Sequence, residues 1–391
     1  MHLTVLHHNG SATSLSDRFC QSLRQSWPDA TVLLTSSSGV TPNHQADPAA
    51  NGGVRLPRKI SPVLGTGPEV VISTSPAAAH WAAIPQQRLH FCFVDRNTAS
   101  APAGRTWLPH PEGRLCPEQR RLAALQSPLS PLPHVHCYLA ASQTIRADLS
   151  ARNAQPCRIL RPPIDINFFR PDNSRRETFY LMAHSPLAPQ AYELALAGCR
   201  RMNRDLIVVG ALPHATARWL RRQPNVWYAG EQPPDVVRSY YRRCRALLFP
   251  GVADFDTAVL EAQACGAPVI AYYLGGIPEL ILDAEQEGQG TGLFFHELTA
   301  DSLESALREL ERRPHRCEPA LAWANAARYS PAQFQRTLQK WIGEWSARLS
   351  ESTGSSIAGS TDATSAPGLS DSADAGNEPP ESPPDCLRSA A

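Results

Sequence analysis

Short apolar runs alternate with amphipathic stretches along most of the chain. "LTVLHH" is followed by a helical pattern over 17–27, and then by the apolar run "ATVLLTS". "EVVISTS", "RLHFCFVD" and "VHCYLAAS" read as buried strands, "QTIRADLSARN" as a helix and "CRILRPPID" as another strand. Strand-length apolar runs separated by helical patterns predict parallel strands joined by helical crossovers.

A polar connector, "RPDNSRRE", interrupts the pattern, which then restarts. Strands are expected at "FYLMAHS", "DLIVVGA", "NVWYAGE", "ALLFPG", "APVIAYY" and "GLFFHE", with helices over 191–200, 215–222, 236–243, 257–265, 300–312 and 331–349. The expected fold is α/β, with two doubly wound domains over 1–172 and 173–330. A closing helix over 331–349 and a tail over 350–391 complete the chain. Two such domains place a cleft where their strand ends face each other. Residues 97–133, rich in Pro and polar groups, read as a long loop, a lid or an acceptor-side insertion. The tail is rich in Ser, Ala, Pro, Gly and Asp, a composition too poor in apolar surface to offset ordering entropy, and reads as disordered.

Charge narrows the partners. Thirty-seven Lys and Arg nearly balance thirty-six Asp and Glu, for a net charge of +1, so any anion site must be local and no nucleic-acid partner is expected. The ten cysteines are scattered, with no C-x-x-C pair to suggest a zinc site or disulfide framework. The chain starts on a strand-like run without a leader pattern, and no segment nears the roughly twenty apolar residues of a membrane span. A cytoplasmic protein is expected, with room for peripheral contact at the inner face of the membrane and an oligomeric state left open.

Most of the chemistry concentrates between residues 245 and 279. A buried strand, "RALLFPG", delivers a loop that feeds a helix, whose free N–H groups can hold an anion. Glu261 lies one turn into that helix, where its carboxylate can accept hydrogen bonds from a ribose diol. Gly275 and Gly276 permit close backbone approach at the next helix start. As isolated features these read as an ordinary helix carboxylate and plain turns; it is their order that points to a site.

That order, with "VISTSPAAAHW", "HCYLAASQTIRADL", "LRPPIDINFFRP", "DLIVVGALP", "NVWYAGEQPPDVVRSYYRRCRALLFPG", "ADFDTAVLEAQACGAPVIAYYLGGIPELI" and "GTGLFFHELTADSL", resembles the retaining family-4-type glycosyltransferases. These have two Rossmann-like domains (the GT-B fold), and the likeness is to their mannosyltransferase-like, polysaccharide and O-antigen branch. It runs from about residue 70 to 302. The resemblance implies a hexosyl transfer with retention, from a GDP- or UDP-linked nucleotide-sugar donor to a saccharide or lipid-linked acceptor. It implies no cofactor and no metal, because basic side chains and a helix terminus neutralise the leaving diphosphate.

Carried over residue by residue, Glu261 matches the ribose ligand, and Thr257, Phe255, Gly210, Gly275 and Gly276 fall on the nucleotide-sugar side. The family's first loop glutamate falls on Ala253, and a glycine falls on Asp256, leaving Asp254 and Asp256 as stand-in carboxylates. The family's phosphate-binding Arg and Lys fall on Ser185 and Gln190, beside His184. The glycine-rich first loop becomes "HHNGSATSLSDRF", retaining Gly10, and a family histidine becomes Asp95, followed by Arg96. Asp95 is a candidate acid/base, and Arg96, Arg218 and Arg221 are candidate replacement cations. A second reading follows from the same substitutions: a catalytically inactive homologue that binds a nucleotide sugar or acts as a scaffold. A nucleotide-sugar isomerase on the same architecture ranks third, on fold analogy alone.

Overall fold

Among the described residues, thirteen strands divide between two sheets. The computed structural model describes residues 2–8, 15–36, 39–42, 69–74, 89–94, 135–152, 155–183, 187 and 189–355. The expected loop over 97–133 and the tail from 356 on lie outside them; the first residues of the expected tail, 350–355, instead continue the closing helix, which runs over Pro331–Ser355.

The first sheet contains β1 (His2–His8), β2 (Thr31–Ser36), β3 (Gly39–Pro42), β4 (Glu69–Ser73), β5 (Leu89–Val94), β6 (Cys137–Ala140) and β7 (Cys157–Ile159). Their order is β3-β2-β1-β4-β5-β6-β7. Every pairing is parallel except β2 with β3, an antiparallel edge that the expectation of an all-parallel sheet did not include. A two-residue connection between β2 and β3 is too short for a crossover, so the chain can only turn back on itself.

The second sheet contains β8 (Tyr180–Ala183), β9 (Leu206–Val209), β10 (Val226–Gly230), β11 (Leu247–Phe249), β12 (Val269–Tyr272) and β13 (Gly292–Phe295). Its order, β10-β9-β8-β11-β12-β13, is wholly parallel. The strand order reverses between β1 and β4 in the first sheet and between β8 and β11 in the second. Ligands of doubly wound sheets bind at such reversals, beyond the carboxyl ends of the strands.

The described helices are α1 (Leu15–Ser26), α2 (Gln143–Arg152), α3 (Pro189–Arg201), α4 (His214–Leu220), α5 (Pro234–Arg243), α6 (Thr257–Ala264), α7 (Ala300–Arg312), α8 (Pro319–Ala327) and α9 (Pro331–Ser355). α7 shows why the sequence folds locally as it does. Thr299 caps it by accepting from the Ser302 N–H at 3.2 Å, Asp301 and Arg312 match the ends of its dipole, and Leu303, Ala306, Leu307 and Leu310 bury one face. That face meets α3 at Gly198, where a Cβ would stand 2.8 Å from Leu303 Cδ2. The Gly275–Gly276 turn leads into a 3₁₀ turn, Ile277–Leu280, rather than the expected helix start.

α9 returns to the first half of the chain. Its Phe334 meets Phe19 of α1 edge-on at 5.7 Å, and Phe19 stacks on Phe93 of β5 at 4.0 Å. Further along, Glu344 pairs with Arg158 of β7 at 2.8 Å, and Arg158 also lies over the Trp341 ring. Just ahead of α9, the Ile164 N–H donates to the Tyr329 carbonyl at 2.9 Å.

The eight described cysteines are free. Burial pushes the thiols of Cys92, Cys137, Cys199 and Cys244 up to about 12, so they behave as small apolar groups and not as nucleophiles. No described helix is long and apolar enough to cross a membrane.

Glu311 of α7 holds the start of β8 in place. It accepts from Arg204 Nε and Nη2 at 2.9 and 2.8 Å and from the Tyr180 hydroxyl at 3.0 Å. Burial alone would raise its pKa, but the bonds from Arg204 and Tyr180 outweigh it and hold the carboxyl below its ordinary 4.5. A depressed carboxyl stabilises the fold above its unfolded value and loses that contribution as pH falls through the folded one. Urea unfolding should therefore show Glu311→Gln less stable than the parent by about 1 kcal/mol at neutral pH. The gap should shrink as the pH is lowered below 4.5.

Candidate nucleotide-sugar site

β11 ends at the reversal of the second sheet, and residues 250–256 carry the chain from it into α6. Every residue of α6 is buried, so the helix has no solvated face, and the polar groups on it must find partners within the protein. Asp256 is its N-cap. With extended backbone (φ −144°, ψ 126°), its side chain turns back to accept from the Ala258 N–H at 2.8 Å. The carboxylate thus meets both a free backbone donor and the positive end of the helix dipole. Its place in the structure is that of a helix cap.

The loop ahead of Asp256 packs against the turn after β12. Ala253 forms a parallel bridge with Gly275, and the Gly276 N–H donates to the Ala253 carbonyl at 2.9 Å. A Cβ on Gly275 would stand 2.6 Å from the Ala253 oxygen, and one on Gly276 only 1.9 Å from the Asp254 oxygen. Gly275 also has φ +78°, where a side chain is strained. Both glycines are therefore required by loop-on-loop contact within the chain itself.

The first half of the chain meets this loop through the start of α2. Buried Ser142 donates to Asp254 Oδ1 at 3.4 Å and accepts from the Ile145 N–H at 3.2 Å. One residue on, the Gln143 N–H donates to both oxygens of Glu279, at 2.9 and 3.1 Å, and Arg161 pairs with the same carboxylate. Burial raises the Glu279 pKa, against the opposing pull of Arg161. A carboxylate from one half thus caps a helix of the other.

Glu261 lies one turn into α6 and is buried. Its Oε2 accepts from the Tyr241 hydroxyl of α5 at 3.1 Å, and its Oε1 from Arg18 Nη1 of α1 at 3.1 Å. The same Nη1 donates to the Thr257 hydroxyl. Burial raises the Tyr241 hydroxyl pKa well above its usual value, helped by the Glu261 and Asp256 carboxylates, so it remains a donor. For Arg18, burial pulls the pKa down, but Glu261 and Asp256 more than compensate and the guanidinium is held charged.

The sequence-derived candidates thus come together unevenly. Glu261, Thr257, Asp256 and, through Ser142, Asp254 gather at the start of α6. Phe255 is buried there. Gly210, at φ +125°, ends β9, where its carbonyl accepts from the Tyr228 hydroxyl at 3.0 Å. Arg218 and Arg221 are exposed, and Arg221 lies over the Tyr228 ring. Gln190 is exposed in the first turn of α3. Asp95, Arg96, His184 and Ser185 lie outside the described residues. Among those described, no group of three or more His, Cys, Asp or Glu is placed to hold a metal ion.

The residues that sequence reasoning missed are Arg18, Tyr241, Ser142 and Glu279. Arg18 carries no local signal, since Glu261 is 243 positions away. Tyr241 stood inside a matched stretch, "RSYYRRC", where its ring was indistinguishable from core filler.

Comparison with known proteins bears on the fold and on the segment that carries this site. Residues 186–312 match the family model "Glycosyl transferases group 1". The D-inositol 3-phosphate glycosyltransferase of Segniliparus rotundus is 25% identical over 224 residues, covering 51% of this chain and 49% of that protein. The one from Corynebacterium aurimucosum is 31% identical over 125 residues, covering 29% and 28%. The chain spans about half the length or less of these curated relatives.

Among solved structures, Anabaena Alr3699/HepE in complex with UDP and glucose superposes with a TM-score of 0.60 at 14% identity, over 88% of this chain and 100% of that one. Sucrose-phosphate synthase from Thermosynechococcus elongatus gives 0.61 at 14% identity, over 89% and 99%. These likenesses define the class: two parallel-sheet α/β domains with the GT-B fold of glycosyltransferases. Within that fold, the segment carrying Glu261 is the one that matches the group 1 family.

Two substitutions test the loop. Asp256→Ala should destabilise the protein by about 1 kcal/mol while Asp256→Asn, which can still cap, costs less, as read by chemical denaturation. Gly276→Ala should cost about 1–3 kcal/mol, because the Asp254 carbonyl must shift to admit the methyl group; a lowered melting temperature would report it.

Proposed function

We propose that this protein is a retaining glycosyltransferase of the family-4 type. It moves a hexosyl unit from a GDP- or UDP-linked nucleotide sugar to a saccharide or lipid-linked acceptor in cell-surface polysaccharide synthesis. The observation that carries the reading is Glu261, a buried carboxylate at the strand-order reversal of the second sheet, fixed by Tyr241 and facing a cation from the other half. A carboxylate so placed can accept from a ribose diol. The structural likeness to Anabaena Alr3699/HepE, solved in complex with UDP, supports a nucleotide donor. The reaction needs no cofactor or metal on this reading, and a lipid-linked acceptor would place the protein at the inner face of the membrane.

A second reading, an inactive homologue that binds a nucleotide sugar as a scaffold, is favoured by a different observation. Ala253 offers no carboxylate at the loop's lip, while Asp254 is held by Ser142 and Asp256 caps α6.

Calorimetric titration with UDP and GDP, followed by a transfer assay with UDP-glucose and GDP-mannose on a lipid-linked acceptor, separates the two. One nucleotide should bind, Glu261→Gln should weaken it about tenfold or more, and sugar should be transferred. Binding without transfer selects the scaffold; no binding of either nucleotide overturns both readings.

A further inference from the structure

The cation at the start of α6 comes from the opposite half of the protein. Arg18 stands on α1, the helix that follows β1, and reaches Thr257 and Glu261, 239 and 243 positions further along the chain. Among the described residues, both of its hydrogen bonds leave from Nη1. A guanidinium carries five N–H donors in a rigid fork. Two bonds from one nitrogen restrain the plane of the group, and among the described residues Nε and Nη2 make no hydrogen bond. The side chain is 34% exposed, whereas Glu261 beneath it is 7% exposed. A buried carboxylate thus holds a charged fork at the surface of the site, at the first residue of α6.

Among the described residues of the second half, the positions expected to supply such a cation do not do so. Gln190 is neutral, and Arg218 and Arg221 are exposed, the latter stacked on Tyr228. Asp256 adds a negative charge at the helix start, so an anionic ligand arriving there needs a counter-charge. A planar guanidinium matches a phosphate oxygen pair in two-point fashion, which a point charge does not.

We propose that Arg18 is a donor-binding residue that contacts the diphosphate of the nucleotide sugar across the cleft, with Glu261 as its anchor. The proposal rests on the nucleotide-sugar reading above and deepens it. It makes the phosphate site a joint product of both halves: one supplies the anchor and the helix start, the other the charge.

The test compares a charged and an uncharged probe on the full chain. UDP and uridine (or GDP and guanosine, whichever base binds) are titrated into the parent protein and into Arg18→Ala, Arg18→Gln and Arg18→Lys. Loss of Arg18 should weaken the nucleoside diphosphate about tenfold or more while changing the nucleoside less than about threefold. Arg18→Lys should recover part of the loss, and the affinity of the alanine variant should depend less on salt. Equal weakening of both probes would reduce Arg18 to a structural prop. Tighter nucleoside diphosphate binding by Arg18→Ala would mean that the side chain obstructs the site. Either result overturns the proposal and leaves the nucleotide-sugar reading intact. A parent protein that binds neither nucleoside diphosphate removes the nucleotide-sugar reading and this proposal with it. Circular dichroism and the melting temperature of each variant establish that it is folded, and Arg18→Gln and Arg18→Lys provide the readout should the alanine variant fail to fold.

Discussion

A buried carboxylate organises this site. Glu261 sits on a helix with no solvated face, and an ionised group there must be paired or it costs several kcal/mol. Tyr241 and Arg18 meet that demand from two directions, one from the helix before β11 and one from the opposite half of the chain. The hydroxyl is fully buried and the guanidinium is not, so one partner fixes the carboxylate and the other carries charge outward. Other features of the loop can be understood as leaving this arrangement undisturbed. Asp256, which like Glu261 acts on both Arg18 and Tyr241, is directed onto the Ala258 N–H.

The two halves also share backbone groups. The first turn of α2 presents Ser142 and the Gln143 N–H to Asp254 and Glu279 of the other half, while Gly275 and Gly276 let the two loops of the second sheet touch. Helix starts expose unpaired N–H groups, and here a carboxylate from the other half satisfies one. The loop that would face a donor sugar is thus held on one side by its own sheet and on the other by the first half. Its shape depends on how the halves meet as well as on its own sequence.

The sequence disclosed the strand and helix alternation because buried parallel strands write themselves as apolar runs, and it singled out Glu261 only through its order with the strand, loop and glycine turn around it, since alone it reads as an ordinary helix carboxylate. It disclosed less where the cause is long-range. Arg18 looked like the polar side of an amphipathic helix, since its partners lie in the other half. The Gly275–Gly276 pair was legible as a place of close approach, but what approaches, the 253–254 backbone, was not. Asp256 carried a local signal after all: an Asp directly before an apolar helical run is a cap, and its alignment with a glycine drew attention away from that. The α8 stretch, "PALAWANAA", escaped because an Ala-rich segment has little polar face to give it a period.

The path of the last helix has a consequence for how the protein is made. Phe334 closes the aromatic stack that begins with Phe93 and Phe19, and Glu344 pairs with Arg158 of β7. The first half therefore acquires part of its covering only after the second has been synthesised. A chain emerging from the ribosome would hold Phe19 and its neighbours uncovered for more than three hundred residues of synthesis. Contacts of such separation form late, so the second half can assemble its own sheet, β8 to β13, while the first still waits for its final layer.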